Sequence, residues 1–283
     1  MKKFKYIIEK IENSTFENSP FKHLHVKSFL SEEHLKIVLN SKQIHFEKLN
    51  SSKDVIHKLL SNGYHIQPFP GCISNPNHYL QLLKNKQWIK NLHGNPIESV
   101  GITFRLKKYE TKFIKELVDF LNSQEFHNCL RNKFNIKEKT AIISAIQKNL
   151  SHYEISPHPD IRTKALTYLL NINDKKYDAI NQHTHLLQFK DNSRPIYDHW
   201  SVNTDVERCW VPWDWCKTVK NHSENNSMIL FEPSNDTLHA VKLYYDHTET
   251  QRTQIYGNLM YPNRKREMYK KSNYKQLDKL RKR

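Results

Sequence analysis

Two periodicities share this chain, and the change falls near residue 141. Before it, apolar positions recur at helical spacing. Residues 110–122 carry Phe113, Leu117 and Leu121 on one stripe, the mark of an amphipathic helix. Ser123 is placed to cap a further helix bearing Phe126, Leu130 and Phe134. Ser31, followed by Glu32 and Glu33, predicts another helix start. So does Asn75-Pro76, with the proline at the first helical position. Residues 23–29 (HLHVKSF) alternate as a strand does.

Beyond residue 141 the apolar runs shorten and polar turns separate them. Residues 141–146, 165–172, 185–189, 227–231, 237–245 and 252–261 read as strands. The run 165–172 (ALTYLLNI) is apolar at odd and even positions alike, so it needs cover on both faces. The expectation is an α+β chain: a helical and mixed support region over 1–140, a sandwich or jelly-roll core over 141–262, and a tail over 263–283.

Composition narrows this. At 283 residues, 37% hydrophobic and mean hydropathy −0.80, the chain is polar but can bury a core. No apolar run is long enough to span a bilayer. The basic start, Met1 to Lys5, lacks the apolar segment of a signal peptide, so a cytoplasmic protein is expected. Cys72, Cys129, Cys209 and Cys216 are scattered and suggest neither a disulfide framework nor a zinc site. Half of the +16 net charge lies in residues 264–283, where ten Lys/Arg oppose Glu267 and Asp278. Such a tail reads as a solvated amphipathic helix or, as the rival reading, a nucleic-acid contact.

Four His-x-Asp/Glu pairs occur: His152/Glu154, His158/Asp160, His222/Glu224 and His247/Glu249. Only His158/Asp160 runs directly into a strongly apolar strand that can hold a ligand loop rigid. Residues i and i+2 of extended chain point the same way, so both side chains can reach one ion. Pro159 stiffens the pair. His239 opens another apolar run after the turn Pro233-Ser234-Asn235-Asp236. Two histidines and one carboxylate form the facial set that binds non-haem Fe(II) and leaves positions open. A four-residue hairpin loop over 246–249 would place Arg252 on the same sheet face as His239, about 13 Å farther along; a three-residue loop would turn it away. There its guanidinium could hold a dicarboxylate. His183 and His185 have ligand-like spacing but no third partner in register. Trp200, Trp210, Trp213 and Trp215 suggest core packing or a dry cover beside the metal.

These pieces, in order, resemble the 2-oxoglutarate/Fe(II)-dependent dioxygenases, in particular their prolyl-4-hydroxylase-like branch. The resemblance rests on His158-Pro-Asp160, residues 166–173 (LTYLLNIN), residues 236–241 (DTLHAV) and Arg252-Thr253, with residues 21–30 (FKHLHVKSFL) and 120–126 (FLNSQEF) ahead of them. It implies a double-stranded β-helix, Fe(II) on His158, Asp160 and His239, and 2-oxoglutarate anchored by Arg252. Thr167 and Asn171 would face that cosubstrate. O2 would complete the set, and an unactivated C–H bond of a small molecule or peptidyl side chain would be hydroxylated. Tyr153 stands near where such chains often carry a glycine, and Gln182-His183-Thr184-His185 where they often carry Gly-Gly. A cupin-like iron oxygenase that works without 2-oxoglutarate is the alternative enzyme.

Overall fold

Capping decides where the N-terminal helices begin. Ser31 accepts from the backbone N–H of His34, Ser51 from Asp54, Asn75 from Asn77 and His78, and Ser123 from Phe126. These caps open α2 (Glu32–Leu39), α3 (Ser52–Ser61), α4 (Pro76–Lys84) and α6 (Gln124–Lys133); α1 (Lys5–Asn13), α5 (Lys112–Leu121) and α7 (Arg194–Val202) start without a side-chain cap. The computed structural model describes residues 2–68, 72–85, 100–173, 183–262, 277–279 and 281–282. Residues 263–276, which hold most of the basic tail, lie outside the described residues, as does Gln182.

The described strands are β1 (Phe16–Glu17), β2 (His23–Val26), β3 (Tyr64–Ile66), β4 (Thr103–Leu106), β5 (Ala141–Asn149), β6 (Glu154–His158), β7 (Lys164–Asn171), β8 (Thr184–Phe189), β9 (Cys216–His222), β10 (Met228–Phe231), β11 (His239–Lys242) and β12 (Arg252–Met260). They form two antiparallel sheets, a larger one ordered β1-β2-β10-β7-β12-β5-β4-β3 and a smaller one ordered β6-β11-β8-β9. From β5 onward the chain passes repeatedly from one sheet to the other. β1 to β4 extend the larger sheet at both edges, so the first 140 residues supply strands as well as helices.

Strand β7 shows how the layers follow from sequence. Leu166, Tyr168 and Leu170 face one way and join Phe4, Ile7, Leu117, Phe120 and Leu130 in the main core, under the helices. Thr167 and Leu169 face the smaller sheet across a cavity. The period-two alternation of β7 thus divides it between a dry helix-covered side and a working side.

Gly257 on β12 sits opposite Tyr168 on β7, and the phenol ring occupies the space a side chain would take. A Cβ there would lie 2.1 Å from the ring. Gly257→Ala is expected to destabilise the protein by about 3 kcal/mol through overpacking, read as a lowered urea midpoint.

Lys148 on β5 points into the helix side and is fully buried. Its ammonium donates to the carbonyl oxygen of Ile44 at 2.6 Å and to the Thr253 hydroxyl. Burial pushes its pKa down to about 7. The unfolded lysine, at about 10.4, therefore binds more protons than the folded one across the interval between. Stability should rise with pH from 7 toward 9, by up to about 1.4 kcal/mol per unit from this group. Urea titrations of wild type and Lys148→Met at pH 7 and 9 check this; the variant should lack that rise.

Candidate metal centre and cavity

His158 is the last residue of β6, and His239 the first of β11. The two strands pair so that these histidines stand directly opposite one another. Their rings are 4.4 Å apart between centroids. Asp160 follows two residues after His158, on the short connection to β7, with a carboxylate oxygen 3.8 Å from His239 Nε2. One ligating atom from each of the three lies within 4.8 Å of the other two, and all three residues are buried.

Each histidine is turned by its own backbone. His158 Nδ1 lies 2.8 Å from the carbonyl oxygen of Ser156, and His239 Nδ1 lies 3.1 Å from that of Thr237. A carbonyl oxygen only accepts, so Nδ1 carries the proton and Nε2 keeps its lone pair. Burial, with His239 alongside, lowers the His158 pKa to about 3; burial also lowers that of His239. Both rings are neutral at pH 7, the form that ligates metal.

Burial works to raise the pKa of Asp160, yet Lys164 and the two histidines pull it below the ordinary carboxylate range. Lys164 Nζ donates to one carboxylate oxygen and Thr167 Oγ1 to the other. Lys164 also donates to Tyr256 Oη at 2.8 Å. The tryptophan-rich segment fixes the same loop from outside. Arg208 Nη2 donates to the Asp160 carbonyl oxygen at 2.5 Å, and the Glu207 carboxylate accepts from the Arg162 backbone N–H at 3.1 Å. Trp210 packs its ring 5.9 Å from that of His158. Trp213 donates to Glu154 at 2.6 Å and packs against a second apolar core that holds Trp200, Trp210 and Trp215. Of the four, Trp210 reaches the cavity.

These three residues, His158, Asp160 and His239, stand at a cavity of about 330 Å³ between the sheets. Ile155, Leu169, Val241 and Trp210 give it apolar walls, while Gln147, Asn149, Arg252 and Gln254 line the larger sheet. Arg252 is 1% exposed. It donates to Asn149 Oδ1 at 3.1 Å and to the Thr184 hydroxyl at 3.3 Å, so it joins the two sheets. Burial pushes its pKa down to about 10, against the pull of Tyr245 and Tyr153, so it remains a cation at pH 7.

The predicted hairpin between His239 and Arg252 is absent. β11 pairs with β6 and β8, and β12 pairs with β5 and β7. Residues 246–250 do make a local turn, with Thr250 N–H bonded to the Asp246 carbonyl oxygen. The connection nonetheless crosses from one sheet to the other, because Leu243 is buried on the way and the Tyr245 hydroxyl bonds to the Asn149 carbonyl oxygen. Arg252 reaches the cavity from the facing sheet.

Thr167 lines the cavity, with its hydroxyl engaged by Asp160. Asn171 does not line it. Its amide donates to the His222 and Glu224 carbonyl oxygens and accepts from Gln254 Nε2 at 2.7 Å, so Gln254 stands where Asn171 was expected. His183 and His185 pack together away from His158, Asp160 and His239, with His185 against Trp213 and the Thr218 hydroxyl. Lys164, Tyr256, Gln254 and Arg105 are cavity residues that the sequence reading missed.

No protein-family model matches the chain, and no curated protein matches it. Among solved structures, it superposes on a Pseudomonas putida prolyl-4-hydroxylase with TM-score 0.45 and 5% identity, over 91% of this chain and 98% of that one. A Trichoplax adhaerens prolyl hydroxylase in complex with a hypoxia inducible factor oxygen degradation domain peptide fragment gives 0.40 and 12%, over 92% and 90%. A Burkholderia pseudomallei oxidoreductase of the 2OG-Fe(II) oxygenase family gives 0.35 and 10%, over 77% and 94%. Likenesses this distant leave the chemistry to be judged from the residues themselves.

Proposed function

We propose that this protein is a 2-oxoglutarate- and Fe(II)-dependent dioxygenase that hydroxylates an unactivated C–H bond of a small molecule or peptidyl side chain. The observation that carries the reading is the convergence of His158, Asp160 and His239, with both imidazoles locked in the ligating tautomer, beside a cavity that also holds a buried arginine. The donor set suits iron(II): two neutral imidazole nitrogens and one ionised carboxylate, with no thiolate beside them among the described residues to favour a softer site. Bound there, iron(II) supplies O2 activation coupled to the splitting of 2-oxoglutarate into succinate and CO2.

The chain's own residues do the rest. His158 and His239 offer Nε2, and Lys164 and Thr167 keep Asp160 ionised and oriented. Arg252 receives the distal carboxylate of 2-oxoglutarate, with Asn149 and Thr184 holding its guanidinium in place. Ile155, Leu169 and Trp210 exclude water from the reacting end. The alternation of β5 to β12 between the two sheets supports a double-stranded β-helix over residues 141–262, with residues 1–140 as its support. Among the described residues no helix is long and apolar enough to cross a membrane.

Aerobic incubation with Fe(II) and 2-oxoglutarate tests the reading. Succinate should form slowly without any added substrate, and a chelator should stop it. Stoichiometric iron binding with neither succinate formation nor 2-oxoglutarate binding would favour the iron oxygenase that works without the oxo acid.

A further inference from the structure

We propose that Arg105 anchors a carboxylate of the primary substrate, so that the protein oxidises an organic acid; this rests on the dioxygenase reading above. Arg105 lies on β4, beside β5 in the larger sheet, and lines the cavity. Its Nε donates to Gln147 Oε1 at 3.1 Å, and its guanidinium sits over the Tyr256 ring at 5.5 Å. One edge and one face of the fork are thereby fixed by neutral partners. The two Nη groups make no hydrogen bond among the described residues, and no described acid comes within ion-pair reach. A guanidinium held in plane with its outer edge open is pre-organised for a planar, bidentate anion.

Position separates this cation from Arg252. Arg105 shares a row with Gln147 and Gln254, whereas Arg252 lies in the next inward-facing row, opposite Asn149. The two arginines are therefore two strands apart and one row offset, and Arg105 is only half-buried while Arg252 is fully buried. A cosubstrate that binds first takes the deep cation, and the later ligand meets the outer one.

Charge points the same way. Three cations, Arg105, Lys164 and Arg252, line the cavity against the single carboxylate of Asp160. An iron(II) dication and a 2-oxoglutarate dianion cancel each other. Two positive charges are left over with the cosubstrate in place, and a neutral or cationic substrate would leave them uncompensated in a partly desolvated site.

The test uses the full chain loaded with Zn(II), which is redox-inert, and 2-oxoglutarate. Benzoate, hippurate and hexanoate are each titrated against the matching amide, with phenyl phosphate as a further arm. Binding is read from the shift of the thermal unfolding midpoint. The expected result is at least one acid binding about tenfold or more tightly than its amide, a preference lost in Arg105→Gln and partly kept in Arg105→Lys. The unloaded midpoints of both variants separate this loss from a folding defect. No acid surpassing its amide in wild type, or a preference that survives Arg105→Gln, would overturn the proposal. Phenyl phosphate binding more tightly than every acid would overturn the choice of carboxylate. The anaerobic band of Fe(II) with 2-oxoglutarate, measured beside these titrations, keeps the two claims apart: its absence from wild type removes the dioxygenase reading, whereas a normal band together with an acid preference that survives Arg105→Gln removes only this inference.

Discussion

Asp160→Asn is expected to lose stoichiometric iron binding, with affinity falling more than about 100-fold, since loss of even an outer partner of a metal ligand costs 10- to 100-fold. Two effects combine in this variant. The anionic ligand is replaced by a neutral amide, and Lys164 is left buried without its counter-charge. Breaking a buried ion pair costs about 3 kcal/mol or more in stability, so lost iron binding alone would be ambiguous. The double variant Asp160→Asn/Lys164→Met resolves it. Removing the stranded ammonium should restore much of the urea midpoint and none of the iron binding. Recovery of both would mean that Asp160 serves folding and does not ligate iron.

Arg252→Gln is expected to behave in the opposite way. Iron binding should persist, because Arg252 touches none of His158, Asp160 and His239 in its hydrogen bonds to Asn149 and Thr184. The 2-oxoglutarate concentration needed for half-saturation should rise by about 10- to 100-fold, the worth of a charge-assisted hydrogen bond to a carboxylate. Stability should hold or improve. A buried cation facing neutral side chains carries a desolvation cost, and glutamine can still bond to Asn149. Anaerobic titration and a urea midpoint on the same preparation would report both. Unchanged 2-oxoglutarate affinity would take Arg252 out of cosubstrate binding and favour the oxygenase that uses no oxo acid.

The contrast between these two residues also shows what the sequence could and could not reveal. His158, Asp160 and His239 were legible because ligand spacing and the flanking apolar strands are local features, and the structure brings the three together. The helix starts at Ser31, Asn75 and Ser123 were legible for the same reason: a cap is read from a few neighbouring residues. Strand pairing is not local. A polar turn at 246–250 looks alike whether the chain folds back on its own sheet or crosses to the facing one, and only the burial of Leu243 and the partners of Tyr245 decide. Strand β6 escaped notice because Tyr153, Glu154, Ser156 and Pro157 do not alternate in hydropathy, although β6 carries His158.

Part of what was missed had a usable signal. With Arg252 on the cavity side of β12, period two places Gln254 and Tyr256 there as well. Lys164 stands four residues after Asp160, at the mouth of the apolar strand, where an unpaired ammonium would be costly. Arg105 had no such signal. Its strand lies outside the core block and reaches the cavity only by pairing with β5. Asn171 failed for a different reason. It shares a face with Thr167, but β7 carries it past the end of the cavity to the carbonyl oxygens of His222 and Glu224.

The most direct measurement is an anaerobic titration of the purified protein, first with Fe(II) and then with 2-oxoglutarate, recording the visible band of electron transfer from iron to the oxo acid. Wild type should give a band that saturates at one iron per chain; the band should disappear in Asp160→Asn, and in Arg252→Gln appear only at much higher 2-oxoglutarate. A protein that binds no iron stoichiometrically, or binds it and gives no band at any 2-oxoglutarate concentration, would not be a 2-oxoglutarate-dependent iron oxygenase.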